Sequence, residues 1–320
     1  LWDALADQSI EVAERIAERT TDRADDARGA VRTVETCIEG LRNSVWPEVA
    51  WRFSLLSTDG CPLQFAFSTT DDVLRYTVEV AGPERPEASR LGAACELIDR
   101  LGGASVPAER RRSWEALQSR HPLRWGAWVG IRHDGASFRL KLYIEVPRAM
   151  REAGQRWASS VIPGSLPMMI GYDSQAQSEE HYFRQPQMDD HKIATFLRFV
   201  GDAAHRRATL DAFTELCGMP ARAALQWMNF GYSVPRSPER GREFVMFVRS
   251  SSLRDVAKIR SLFLKRERRP DKTRSFYRDR FEDLPRERLP DHEIVSVIGR
   301  ETDDAVELRV GVSAIALARL

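Results

Sequence analysis

Residues 138–147 read Phe138-Arg139-Leu140-Lys141-Leu142-Tyr143-Ile144-Glu145-Val146-Pro147. Strand side chains alternate between two faces. Phe138, Leu140, Leu142, Ile144 and Val146 therefore fall on one face, and Arg139, Lys141, Tyr143 and Glu145 on the other. The first face suits packing under helices. The second is ionic and aromatic. Leu74-Arg75-Tyr76-Thr77-Val78-Glu79-Val80 repeats the pattern, with Arg75, Thr77 and Glu79 on its polar side. Val306-Glu307-Leu308-Arg309-Val310-Gly311-Val312 repeats it again, with Glu307 and Arg309. An antiparallel sheet with one wet side gives such alternation. Ionic faces recurring this far apart point further, to the inside of a closed barrel that holds an anion.

The rest of the chain fits one barrel domain over 1–320, with helices at 1–44 and the barrel with its outer helices at 45–320. Ile10, Ala13, Ile16 and Ala17 mark a first helical stripe, and Val31, Val34, Ile38 and Leu41 a second. Strand pairs are read at Val49–Ser57 with Leu63–Ser68, followed by the Arg75 strand, and at Trp125–Arg132 with Phe138–Val146. Further pairs are read at Met168–Asp173 with Glu179–Gln185, Gln226–Val234 with Arg242–Arg249, and Glu293–Gly299 with Ala305–Ala314. Asp134-Gly135 marks a hairpin turn. Helices are expected near 87–102, 108–119, 147–159, 189–203, 207–217 and 252–266, and residues 270–291 are read as mostly loop. The organisation is α+β: five αββα units whose ten antiparallel strands close into a barrel inside an outer ring of helices. Closure removes the sheet edges. A barrel this wide leaves room for ligands.

Lys and Arg number 48 and Asp and Glu 47, so no general attraction to nucleic acid or membrane is expected. No apolar run approaches the roughly 20 residues of a membrane helix. Cys37, Cys61, Cys95 and Cys217 are scattered, which fits a reducing cytoplasm. Asp71-Asp72, Asp189-Asp190 and Asp303-Asp304 lack the third acid of a DDxxD magnesium motif, and the six histidines have no metal-binding spacing. No phosphate loop and no nucleophile elbow is present.

The chain resembles the aromatic prenyltransferases of the αββα barrel type, most of all the indole (tryptophan) dimethylallyltransferases. The resemblance lies in Asp59-Gly60-Cys61-Pro62-Leu63-Gln64, in Leu74-Arg75-Tyr76-Thr77-Val78-Glu79, in Lys141-Leu142-Tyr143 with Pro147, and in the order of the strand pairs. It implies a bacterial enzyme of secondary metabolism that takes dimethylallyl diphosphate and an aromatic acceptor, with no metal and no other cofactor. It assigns diphosphate binding to Arg75, Lys141 and Tyr143. Tyr143 would also shield the allylic cation, and Trp128 is a second candidate for that role. Arginine offers a planar donor fork and lysine a point charge, and both suit phosphate oxygens.

Two departures carry consequences. Where the indole group has a glutamate that accepts from the indole N–H, this chain has Gln64. An amide accepts that hydrogen bond but is not a useful base at neutral pH. The third block of the family reads R-x-K-x-Y, and the alignment taken here puts Glu179, His181 and Phe183 at those positions. His181 is then a candidate diphosphate donor or proton acceptor, and Arg309 or Arg249 would supply the missing cations. An internal ion pair would account for Arg139 and Glu145. Indole-like acceptors are favoured, and phenolic, phenazine, carbazole and peptide acceptors stay open. A carrier barrel without catalysis and a barrel that has lost it are the rival readings.

Overall fold

The computed structural model describes residues 2–320 except 22, 72, 136, 153–161, 200–202, 236–242, 254, 268–274, 287–288, 291 and 301–305. Ten strands form one closed antiparallel barrel: β1 (Leu63–Ser68), β2 (Arg75–Glu79), β3 (Ala127–Asp134), β4 (Ser137–Glu145), β5 (Leu166–Asp173), β6 (Ser178–Gln185), β7 (Phe230–Pro235), β8 (Glu243–Arg249), β9 (His292–Arg300) and β10 (Glu307–Ser313). Each strand pairs with its neighbours in sequence, and β10 closes on β1. The helices are α1 (Trp2–Thr20), α2 (Ala24–Arg42), α3 (Pro47–Ala50), α4 (Arg90–Arg100), α5 (Ala108–Gln118) and α6 (Arg148–Glu152). They continue with α7 (Asp190–Phe199), α8 (Ala203–Cys217), α9 (Ala221–Trp227), α10 (Val256–Arg266), α11 (Phe276–Phe281) and α12 (Ala314–Ala318). The expected ten-stranded barrel and its surrounding helices are both present.

The core lies between barrel and helices. Leu140, Leu142, Ile144 and Val146 are fully buried there, as the opening alternation requires. Val34, Ile38 and Leu41 of α2 and Leu91, Ala94, Leu97 and Ile98 of α4 are buried on the same layer. Each such Val, Leu or Ile side chain contributes about 1.5–3 kcal/mol on leaving water. The α1 helix packs on α2 and on α12, so the two ends of the chain meet.

Three expected elements are corrected. The strand read from Gln226 starts only at Phe230, because Ala221–Trp227 forms α9. Residues 49–57 form no strand. Both edges of β1 are taken, by β2 and β10, so nothing is left for a third partner. Pro47 opens the single turn of α3, and the Ser54 hydroxyl binds the backbone N–H of Leu56. The segment then crosses back on itself, and a Cβ at Gly60, with φ of 81°, would stand 2.3 Å from the Arg52 carbonyl oxygen. Residues 276–281, expected as loop, form α11. Ser275 caps it by accepting from the Arg278 N–H, and Phe276, Tyr277 and Phe281 are buried. The end of the 147–159 helix lies outside the described residues.

Candidate active site

The strand register decides what faces the lumen, because cross-strand partners share a face. Along β2, β3 and β4 it stacks three lumen rows. Arg75 pairs with Arg132 and Arg132 with Arg139. The next row is Thr77, Gly130 and Lys141, and the third is Glu79, Trp128 and Tyr143. The first row lies at the end where each strand pair turns back, called here the hairpin end. On the other side of the seam, Arg309 pairs with Ser68 and Gln64 with Ser313.

The hairpin end is cationic. Both terminal nitrogens of Arg75 donate to Asp71, each at 2.5 Å, and Arg132 stands 3.6 Å from the same carboxylate. Burial opposes the Asp71 charge, but the hydrogen bonds and charge of Arg75, with the charge of Arg132, outweigh it and hold its pKa below the usual value. Burial and then the charge of Arg75 push the Arg132 pKa down, and Arg309 adds to the effect. Arg309 donates to Glu307 at 2.7 Å, and Ser68 donates to the same oxygen at 2.7 Å.

Mid-barrel, Lys141 lies between two tyrosines. Its ammonium is 5.7 Å from the centre of the Tyr143 ring and 5.3 Å from that of Tyr182, and the rings meet edge to face at 6.0 Å. Lys141 donates to the Tyr182 oxygen at 2.9 Å and pairs with Glu180, which also accepts from the Tyr182 hydroxyl at 2.9 Å. Burial opposes the Glu180 charge, yet Lys141 holds its pKa low. Burial and then the Glu180 charge push the Tyr182 phenol well up, so it stays a neutral donor. The arrangement needs missing side chains beside it. A Cβ on Gly130 would meet the Tyr143 ring at 2.8 Å, and one on Gly171 would meet Lys141 at 2.6 Å.

The far end is walled by a polar cluster. Glu79 accepts from Ser54 at 2.8 Å, from the Trp128 indole N–H at 2.6 Å and from Arg90 at 3.0 Å. Burial pushes its pKa up to about 7. Trp128 stacks on Trp125 at 3.9 Å between ring centres. Gln64 is buried, and its amide nitrogen lies 3.4 Å from the Leu56 carbonyl oxygen.

The structure thus brings Arg75, Lys141, Tyr143, Arg309, Gln64 and Trp128 to the lumen face. His181 is not among them. It pairs with Ile170 and Val234 on the outward face and lies 3.3 Å from Glu179. The lumen-facing set of β6 lies one residue earlier than the R-x-K-x-Y alignment over 179–183 expects, and a slip of one residue moves every side chain to the other face. The turn at 174–177, tied by Asp173 Oδ1 to the N–H groups of Gln175 and Ala176, sets Ser178, Glu180 and Tyr182 inward. The tyrosine of the R-x-K-x-Y pattern is therefore present, and Glu180 occupies its lysine position. Arg249, the last residue of β8, is exposed and pairs with Ile294, two residues along β9 from Ser296, the partner of Arg309. Glu145 makes no pair with Arg139. It accepts backbone N–H groups of Arg124, Trp125 and Gly126 at 2.7–2.9 Å, while Arg139 is exposed. Arg132, Tyr182, Glu180 and Asp71 escaped the sequence reading. Strand parity alone marks Arg132.

No protein-family model matches the chain, and no curated protein sequence does. Solved structures match it over nearly its whole length. The prenyltransferase PriB, in its apo form, is 16% identical, with 98% of this chain and 97% of that one covered and a TM-score of 0.71. The 5-dimethylallyl tryptophan synthase from Streptomyces coelicolor, solved with DMASPP and Trp, is 15% identical, with 98% and 96% covered and a TM-score of 0.67. AnaPT from Neosartorya fischeri is 12% identical, with 95% and 91% covered and a TM-score of 0.60. At these identities the likeness defines the fold. This chain has the prenyltransferase-barrel architecture that the sequence resemblance led us to expect. Among the described residues, no group of three or more His, Cys, Asp or Glu is placed to hold a metal ion, and no helix is long and apolar enough to cross a membrane.

Proposed function

We propose that the chain is an aromatic prenyltransferase that moves a dimethylallyl group from dimethylallyl diphosphate to an electron-rich ring, indole-like in the favoured case, without a metal ion. The observation that carries the reading is the lumen itself: arginines at its hairpin end and a tyrosine pair around a cation at its middle. The carbon–oxygen bond of the substrate breaks with its electron pair going to diphosphate. Arg75 and Arg309 offer fixed positive charge to that leaving group, which is worth most where water is excluded. The Tyr143 and Tyr182 rings lie beside one cation, Lys141, which Tyr182 meets through its phenol oxygen, and aromatic ring faces stabilise an allylic cation and keep water from it. The acceptor ring attacks the cation carbon, and the ring proton then passes to a base. Gln64 orients the acceptor through its amide oxygen. It takes no proton at neutral pH.

The test is mass spectrometry of reactions holding dimethylallyl diphosphate, excess EDTA, and tryptophan, an indole peptide, a naphthol or a phenazine carboxylate. The expected product is the indole acceptor with one added C5 unit, in equal yield with and without EDTA. A barrel that forms no C5 product with any acceptor contradicts transfer. Product that disappears with EDTA contradicts the metal-free step.

A further inference from the structure

Two of the three arginines of the first lumen row, Arg75 and Arg132, stand directly opposite each other on β2 and β3. Like charges in that position destabilise a sheet. Arg75 is only 6% exposed, and its Nε has no partner. The Nε of Arg132 is likewise buried without a partner. Arg309 is near enough to act on Arg132 electrostatically. What lies between Arg75 and Arg132 is Asp71, on the connection from β1 to β2, with its side chain 28% exposed. It holds the two terminal nitrogens of Arg75 and leaves the Nε donors unused. A carboxylate has two oxygens, whereas a diphosphate presents more and carries more charge. Mid-barrel, the one charge of Lys141 is already matched by Glu180, whereas at the hairpin end Asp71 and Glu307 face Arg75, Arg132 and Arg309 and leave a surplus of positive charge. The larger share of anion binding therefore falls to the hairpin end.

We propose that Arg132 is a diphosphate ligand, completing a triad with Arg75 and Arg309, and that Asp71 is a built-in competitor which an incoming diphosphate displaces. The proposal rests on the prenyltransferase reading for the identity of its anion. It adds two residues that the reading does not contain, and it predicts opposite effects for them.

Inorganic pyrophosphate titrated calorimetrically into the intact protein tests it. Arg132→Ala should weaken binding about tenfold or more, and Arg132→Lys should fall between that variant and the unaltered protein, because lysine keeps the charge and loses the fork. Asp71→Asn should tighten binding severalfold. Arg222→Ala, at an exposed pair with Asp190, is the control and should change nothing. Circular dichroism of each variant guards against misfolding, and the opposite sign for Asp71→Asn cannot arise from a damaged fold. Arg132→Ala within twofold of the unaltered protein, or Asp71→Asn binding no tighter, would overturn the proposal. If the unaltered protein transfers C5 units yet binds no pyrophosphate, the triad is wrong and the prenyltransferase reading stands. If it does neither, both fall.

Discussion

Arg75→Ala is expected to lower turnover of dimethylallyl diphosphate by about 10²–10³-fold, the usual loss when one preorganised donor to a developing anion is removed. The loss should appear in kcat as well as KM, because the leaving diphosphate gains charge as the bond breaks. Stability should change little. The partner left behind, Asp71, is 28% exposed and keeps Arg132 at 3.6 Å, so no carboxylate is stranded without water or a counter-charge. The substitution also relieves the repulsion between Arg75 and Arg132. Steady-state kinetics and urea unfolding on one preparation separate the two effects. A variant that folds and turns over within threefold of the parent would remove Arg75 from the site.

Arg90→Ala is expected to have the largest effect on stability, about 3–5 kcal/mol, the usual cost of stripping one partner from a buried ion pair. Arg90 and Glu79 have side chains 4% and 0% exposed, so the stranded carboxylate cannot find water. The pH dependence has a definite sign. The pKa of Glu79 is raised in the fold to about 7 from an ordinary 4.5. Its contribution to stability is therefore fully present below pH 4.5 and is lost as pH rises through 7. Without Arg90 the carboxyl holds its proton more tightly still, so the penalty of Arg90→Ala should shrink as pH falls from about 8 toward about 5. The double variant Arg90→Leu with Glu79→Gln should recover most of the loss, since no buried charge remains and the amide oxygen put in place of the carboxylate would still accept from Trp128. Urea unfolding across that pH range is the measurement. A pH-independent penalty below about 1 kcal/mol would mean that Glu79 is not the buried acid described.

The periodicity of 138–147 carried the fold because both of its faces are strongly typed. One is wholly apolar and the other ionic and aromatic, so neither register nor direction is ambiguous. The same typing placed Arg75, Lys141, Tyr143 and Arg309 on the lumen. It failed in the third block because Glu179 to Phe183 carries polar and aromatic residues on both faces. Only the turn at 174–177 decides which face is inward, and its length cannot be read from alternation. It failed at 49–57 because that segment alternates apolar side chains without a free edge to join. Asp71 reads in the sequence only as half of an incomplete DDxxD motif, and nothing local shows that its carboxylate reaches back to the two arginines at the barrel end. Glu79 lay in the quoted motif, but its burial depends on Arg90, Ser54 and Trp128, which come from three other parts of the chain.

A crystal structure of the protein with dimethylallyl thiolodiphosphate, whose sulfur resists ionisation, tests the central claim most directly. The account predicts diphosphate oxygens in the lumen within about 3 Å of the Arg75 and Arg309 guanidinium groups, with the C5 chain lying against the rings of Tyr143 and Tyr182. A lumen left empty at saturating ligand, or a diphosphate seated on the outer helices, would contradict it.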